Sequence, residues 1–162
     1  MTPELQRNIL LGLQKWRVPI VVVGGHAVVF HGHIRTTADV DVVWLRSPEA
    51  EQSLVDALSE MKAGWLSDEI DSTTGIERVV PVTRAYIQAN HLMMLETQWG
   101  FLDLFDYVPG APEADIATFF EESVQGGDGL RYPSLEWVRR MKKAAGRVKD
   151  LADLEELARL HQ

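Results

Sequence analysis

The chain has 162 residues, 46% hydrophobic and 25% charged, which suits one globular domain with room for a core. It contains no cysteine, which excludes a disulfide framework and a thiolate metal site; its net charge of −8 argues against a broad nucleic-acid surface, which needs clustered Lys and Arg. No apolar run reaches the length of a membrane span, and the opening MTPELQRN lacks a signal peptide's basic start and apolar middle, so a cytoplasmic location without a membrane partner is the default.

Thr2-Pro3-Glu4 is helix-start chemistry: Thr as N-cap, Pro at the first helical position and an acid in the first turn. Leu5, Ile9, Leu13 and Trp16 then share one face, which predicts a helix to about Lys15. After Pro19 the run Ile20-Val21-Val22-Val23 reads as a buried strand that ends at the Gly24-Gly25 turn. His26 to His33 has the length of a short helix, and Val40-Asp41-Val42-Val43 reads as a second strand. Alternation along that strand sends Asp39 and Asp41 the same way while Val40 and Val42 enter the core.

Two carboxylates on one face repel each other unless a cation lies between them, and Mg²⁺ takes oxygen ligands of this kind together with substrate phosphates. A glycine pair lets backbone approach a phosphate, and the helix behind it would aim N–H groups at the anion. Arg35 and Thr37 add a positive charge and a hydroxyl just upstream of the acids. These are the parts that phosphoryl or nucleotidyl transfer requires. His26, His31 and His33 lie close together in sequence, but zinc needs a third or fourth ligand and His26 does not share a helical face with His33. Packing or a polar contact near a nucleotide is their simpler role.

Ser47-Pro48-Glu49 opens another helix, with Leu54, Leu58 and Met61 inward and Glu49, Glu51, Asp56 and Glu60 as its wet face. Ala63-Gly64-Trp65-Leu66 reads as a short strand, Asp71 to Gly75 as a loop, Val79 to Val82 as extended chain and Arg84 to Ala89 as a helical turn. His91 to Thr97 and Phe101 to Phe105 flank Gln98-Trp99-Gly100 and predict a hairpin. Asp103 stands in the middle of an apolar strand, where an acid is costly without a partner; Asp106 and Glu96 are the competing acids of the same hairpin.

Beyond the Tyr107–Pro112 turn, Ala114 to Val124 reads as a helix with Ile116, Phe119 and Phe120 inward. Gly126 to Gly129 reads as a turn without the strand and helix that a phosphate loop needs, and Leu130-Arg131-Tyr132 as a last edge strand. Ser134 starts a helix through about Ala145, Gly146 breaks it, and Lys149 to Leu160 forms the last one on a buried stripe of Leu151, Leu154, Leu157 and Leu160. Asp150 and Asp153 suit the first turn of that helix, where acids complement the helix dipole.

The pattern Gly24-Gly25, thirteen residues, then Asp39-Val40-Asp41 resembles the signature of the DNA polymerase β-like nucleotidyltransferase superfamily. The fuller string His31-Gly32, Arg35, Thr37, Asp39, Asp41 and the block from Met141 to Glu155 are similar to the small single-domain members near the AbiEii-type toxins, across most of residues 20 to 155. The resemblance implies an α/β (α+β) fold, a small mixed β-sheet covered by helices, over a single domain of residues 1–162 with a core at 18–108 and a C-terminal helical segment at 113–162. It implies transfer of a nucleoside monophosphate from a nucleoside triphosphate such as ATP to an acceptor hydroxyl.

In that scheme Asp39, Asp41 and Asp103 hold two Mg²⁺ ions, and Asp103, the third carboxylate from the neighbouring strand, also serves as base. Gly24 and Gly25 present N–H groups to phosphate, Arg35 and Thr37 support it, and Lys142, Arg147 or Lys149 reaches the triphosphate or the acceptor. Three classes stay open. One is a toxin-like enzyme acting on RNA or protein, with an antitoxin partner. Another is a small-molecule enzyme, since lincosamide and aminoglycoside nucleotidyltransferases carry similar elements. The third is a binding module without turnover. An acidic chain fits a small acceptor or a protein better than tRNA, and a basic groove around Lys142 to Lys149 would reverse that.

Overall fold

A computed structural model describes residues 2–162. Helix α1 (Pro3–Lys15) is capped by the Thr2 side chain and leads into strand β1 (Ile20–Val22), helix α2 (Gly24–Phe30) and strand β2 (Val40–Trp44). Helix α3 (Pro48–Glu60), capped by Ser47, precedes the hairpin of β3 (Gly64–Ile70) and β4 (Glu77–Pro81). Helix α4 (Arg84–Ala89) and the hairpin of β5 (Leu92–Thr97) and β6 (Gly100–Phe105) complete the main sheet. Helix α5 (Ile116–Glu121), a separate pair of strands β7 (Val124–Gln125) and β8 (Arg131–Tyr132), and helices α6 (Leu135–Ala145) and α7 (Val148–Leu160) follow.

The six strands run in the order β1-β2-β6-β5-β3-β4, and only β2 and β6 are parallel to each other. One sheet face buries Trp44, Met93, Leu102 and Leu104 against Ile9, Leu13, Leu54, Leu58 and Ile87 of α1, α3 and α4. The other buries Val21, Val23 and Val43 against Phe119, with Trp137 and Met141 of α6 packed beside them. A third cluster joins Ala27 and Val28 of α2 to Val138 and Leu157, which brings α6 and α7 alongside α2. Among the described residues no helix is long and apolar enough to cross a membrane.

Several local expectations change in three dimensions. The glycine pair is the first turn of α2 instead of a turn ahead of it. Gln6 and Leu10 join Ile9 and Leu13 on the buried side of α1, while Leu5 and Trp16 lie at its margin. Glu51 is not on the wet face of α3: Arg46, Arg84 and Gln88 enclose it. Strand β8 pairs with β7 and takes no edge of the main sheet. On α7 the buried stripe is Asp150, Asp153 and Leu157, while Leu151 is 51% exposed. Apolar periodicity misassigned that helix because two carboxylates occupy its inward positions, neutralised by Lys142 and Arg147 just upstream and by Arg35, 118 residues from Asp153.

Candidate active site

The parallel register of β2 and β6 sets Asp41 directly beside Asp103. Adjacent partners in a ladder share a face, so both carboxylates project on the same side of the sheet. Asp39 arrives one residue before β2 begins, and one oxygen from each of Asp39, Asp41 and Asp103 lies within 4.8 Å of the others. None of the three carboxylates forms an ion pair among the described residues; Arg35, Lys142 and Arg147 pair with Asp150 and Asp153 instead.

Burial, together with the charges of Asp39 and Asp103, raises the Asp41 carboxyl to about 6 against the opposing pull of Lys142 and Lys149. Burial and Asp39 also raise Asp103. An all-oxygen donor set whose members repel each other fits a hard divalent cation such as Mg²⁺. The three carboxylates can hold one; that is the metal chemistry this donor set allows.

Gly24 is required by contact. It sits at φ +61°, and a Cβ there would lie 1.9 Å from Asp41 Oδ2. A Cβ on Gly25 would stand 2.3 Å from Thr37 Cγ2 and 3.2 Å from Arg35 Nη1. The pair therefore lets the acid strand and the Arg35–Thr37 segment close onto the start of α2. The first N–H groups of that helix have no acceptor within it, and no side chain caps them.

Opposite the acids, α6 and α7 bring the positive charge. Lys142 is 6% exposed and its Nζ lies 2.9 Å from both Asp150 Oδ1 and Asp153 Oδ2. Arg147 Nε donates to Asp150 Oδ2 at 2.7 Å, and Arg35 Nη2 donates to Asp153 Oδ2 at 2.9 Å. Arg35 Nε stands 2.7 Å from Asp153 Oδ1, but off its N–H axis, as an ion-pair contact without a hydrogen bond. Burial alone would raise Asp150; hydrogen bonds from Arg147 and Lys142, with their charges, outweigh it and hold that carboxyl at about 2. Asp153 is lowered in the same way, with Lys142 and Arg35 overcoming burial.

Asp39, Asp41, Asp103, Gly24, Gly25, Arg35, Thr37, Lys142, Arg147 and Lys149 all line one cleft of about 340 Å³. Lys149 is the cleft cation in no ion pair among the described residues. The competing hairpin acids lie elsewhere: Asp106 is bound by Arg46 and His91, and Glu96 is exposed opposite Phe101. The histidines diverge. His31 Nε2 contacts Pro133 O at 2.8 Å, His33 lies 3.6 Å from Asp153, and His26 faces a second cavity with Nδ1 unpartnered. Asp150 lines the cleft and Asp153 anchors two of its cations, Lys142 and Arg35, where sequence alone read both acids as helix-terminal charges; Asp150 does also accept from the Arg147 N–H at 3.2 Å. Two acids one turn apart, replacing leucines on the inward stripe, were the one local signal.

No family model and no curated protein matches this chain. Among solved structures, the solution structure of the antibiotic-resistance factor ANT(2'')-Ia is 17% identical, with a TM-score of 0.55 over 97% of this chain and 80% of that one. JHP933 from Helicobacter pylori is 18% identical, with a TM-score of 0.53 over 99% of this chain and 68% of its own. A crystal structure of ANT(2'')-Ia in complex with adenylyl-2''-tobramycin superposes at a TM-score of 0.44, too distant to carry weight. The likeness shows the fold alone: a six-stranded mixed sheet covered by helices, shared with these two structures.

Proposed function

We propose that this protein is a divalent-metal-dependent nucleotidyltransferase that moves a nucleoside monophosphate from a nucleoside triphosphate to a hydroxyl of a small molecule. One observation carries the reading: three carboxylates within 4.8 Å of one another on the wall of a cleft that also holds Arg35, Lys142, Arg147 and Lys149. Asp39, Asp41 and Asp103 would hold one or two Mg²⁺, and a bound ion supplies charge neutralisation at phosphate oxygens. The remaining roles belong to the chain. The N–H groups of Gly24 and Gly25 bind phosphate at the start of α2, with Thr37 beside them. Lys149, without a carboxylate of its own, pairs with the triphosphate, and Arg35 and Arg147 flank it. The acceptor oxygen forms its bond to the α-phosphorus, the bond to the pyrophosphate oxygen breaks, and Asp103 takes the hydroxyl proton.

A small acceptor is favoured over RNA because the positive charge of the cleft is largely spent internally. Lys142 and Arg147 are bound to Asp150, and Arg35 to Asp153, on a chain of net charge −8. A groove that tracks an RNA backbone needs free cations. This argues against the RNA target of the AbiEii-type toxin reading, whose support is the resemblance of the His31–Asp41 string and of residues 141–155; a protein target would not need such a groove.

The test is label transfer from α-³²P nucleoside triphosphates, with and without Mg²⁺, to a panel of aminoglycosides and other polyols and, in parallel, to RNA. Mg²⁺-dependent labelling of a small molecule with release of pyrophosphate is expected, and its loss in Asp39→Ala/Asp41→Ala. Labelled RNA alone would reject the acceptor class. Transfer undiminished in the double variant would reject the mechanism, and nucleotide binding without turnover would leave a binding module.

A further inference from the structure

Gln6 is a polar residue on the buried side of α1, 4% exposed among Ile9, Leu10 and Leu13. Its carboxamide faces the irregular segment between α2 and β2. Nε2 donates to Thr37 O at 2.8 Å, and Oε1 accepts from Thr37 Oγ1 at 3.1 Å. A carbonyl can only accept, so the amide orientation is determined, and both halves of the side chain are used on one residue. A buried amide where a leucine would pack is unfavourable unless both hydrogen bonds form.

Residues Ile34 to Asp39 belong to no helix or strand. The β2–β6 ladder begins at Val40, so register holds Asp41 and Asp103 in place but does not reach Asp39. What holds the segment is side-chain contact at two points. Arg35 is tied to Asp153 of α7, and Thr37 is gripped by Gln6 while its methyl rests where Gly25 has no side chain. Asp39 follows two residues later.

We infer that Gln6 is a positioning residue for the carboxylate cluster: by gripping Thr37 it sets where the chain enters β2 and hence where Asp39 stands against Asp41 and Asp103. This rests on the reading of the three acids as a divalent-cation site. Gln6 itself lies outside the cleft lining, so it acts only through Thr37.

The experiment compares Mn²⁺ affinity of the parent, Gln6→Met and Gln6→Glu by titration calorimetry well below each protein's Tm, with hydrogen exchange followed over residues 33–39. Gln6→Met keeps the length and loses both hydrogen bonds. Gln6→Glu keeps the acceptor for Thr37 Oγ1 but sets an oxygen against Thr37 O, and serves if the Met variant folds poorly. In both, Mn²⁺ binding should weaken about 10-fold, the lower end of what losing a partner that orients a metal ligand costs, and exchange at 34–39 should quicken. A purely structural role would lower Tm and leave the Mn²⁺ affinity of the folded protein unchanged; parent-like Kd and exchange in the variants overturn the inference. A parent that binds no Mn²⁺ would overturn the cation-site reading, and this one with it.

Discussion

Lys142→Met would test whether the wall of the cleft is held by buried charge. The ammonium bridges Asp150 and Asp153 at 2.9 Å each, from a side chain 7% exposed, to carboxylates that are 0% and 2% exposed. Removing one partner of a buried ion pair costs about 3–5 kcal/mol when the remaining charge is left alone. Here neither acid is left alone: Asp150 keeps Arg147 at 2.7 Å and Asp153 keeps Arg35 at 2.9 Å. The expected loss is therefore smaller, about 2–3 kcal/mol, or roughly 5–10 °C in Tm for a chain of this size.

Urea denaturation at pH 7 without divalent ions measures it, and the pH dependence identifies its source. The Asp150 carboxyl is held at about 2, below its unfolded value, because hydrogen bonds from Arg147 and Lys142 outweigh burial. A depressed carboxylate stabilises the fold fully above its unfolded pKa of about 3.9 and loses that contribution as pH falls through the folded value. The gap between parent and variant should thus hold at pH 5–7 and shrink below about pH 4. An unfolding free energy within about 0.5 kcal/mol of the parent, the scatter of ordinary surface substitutions, would refute the buried-network argument. The case against RNA would fall with it, since Lys142 would then be free.

Three further outcomes follow from the same geometry. Asp41 is raised to about 6 by burial and by Asp39 and Asp103, so it destabilises the fold as pH rises through that value; Asp41→Asn should raise stability at pH 7 by about 1–3 kcal/mol, show no gain at pH 4, and lack the rise in Tm with Mg²⁺ that is expected of the parent. Gly24→Ala meets Asp41 Oδ2 at 1.9 Å from a φ of +61°; beyond about 1–2 kcal/mol for the left-handed backbone, the clash displaces Asp41, so Tm and Mg²⁺ binding should both fall. Lys149→Ala, by contrast, breaks no ion pair, and should raise KM for the nucleoside triphosphate about 10-fold, the order expected for an exposed charge-assisted contact, with Tm within a degree or two of the parent.

The local chemistry of the chain determined much of this protein without help. Thr2, Ser47 and Ser134 mark helix starts because their hydroxyls cap backbone N–H groups within three residues. The run from Ile20 through Gly24-Gly25 to Asp41, and the hairpin around Trp99, were legible because alternation and turn residues act between near neighbours. Tertiary structure alone decided the rest. Asp103 joins Asp41 through a parallel pairing across 62 residues of chain, and nothing in either strand states that register. Asp150 and Asp153 turn inward because Lys142 and Arg35 wait there, the latter 118 residues away. Hydrophobic periodicity records which side chains leave water for want of polar partners; a buried charge leaves water only when its counter-ion is brought to it, and that meeting is settled when the helices pack.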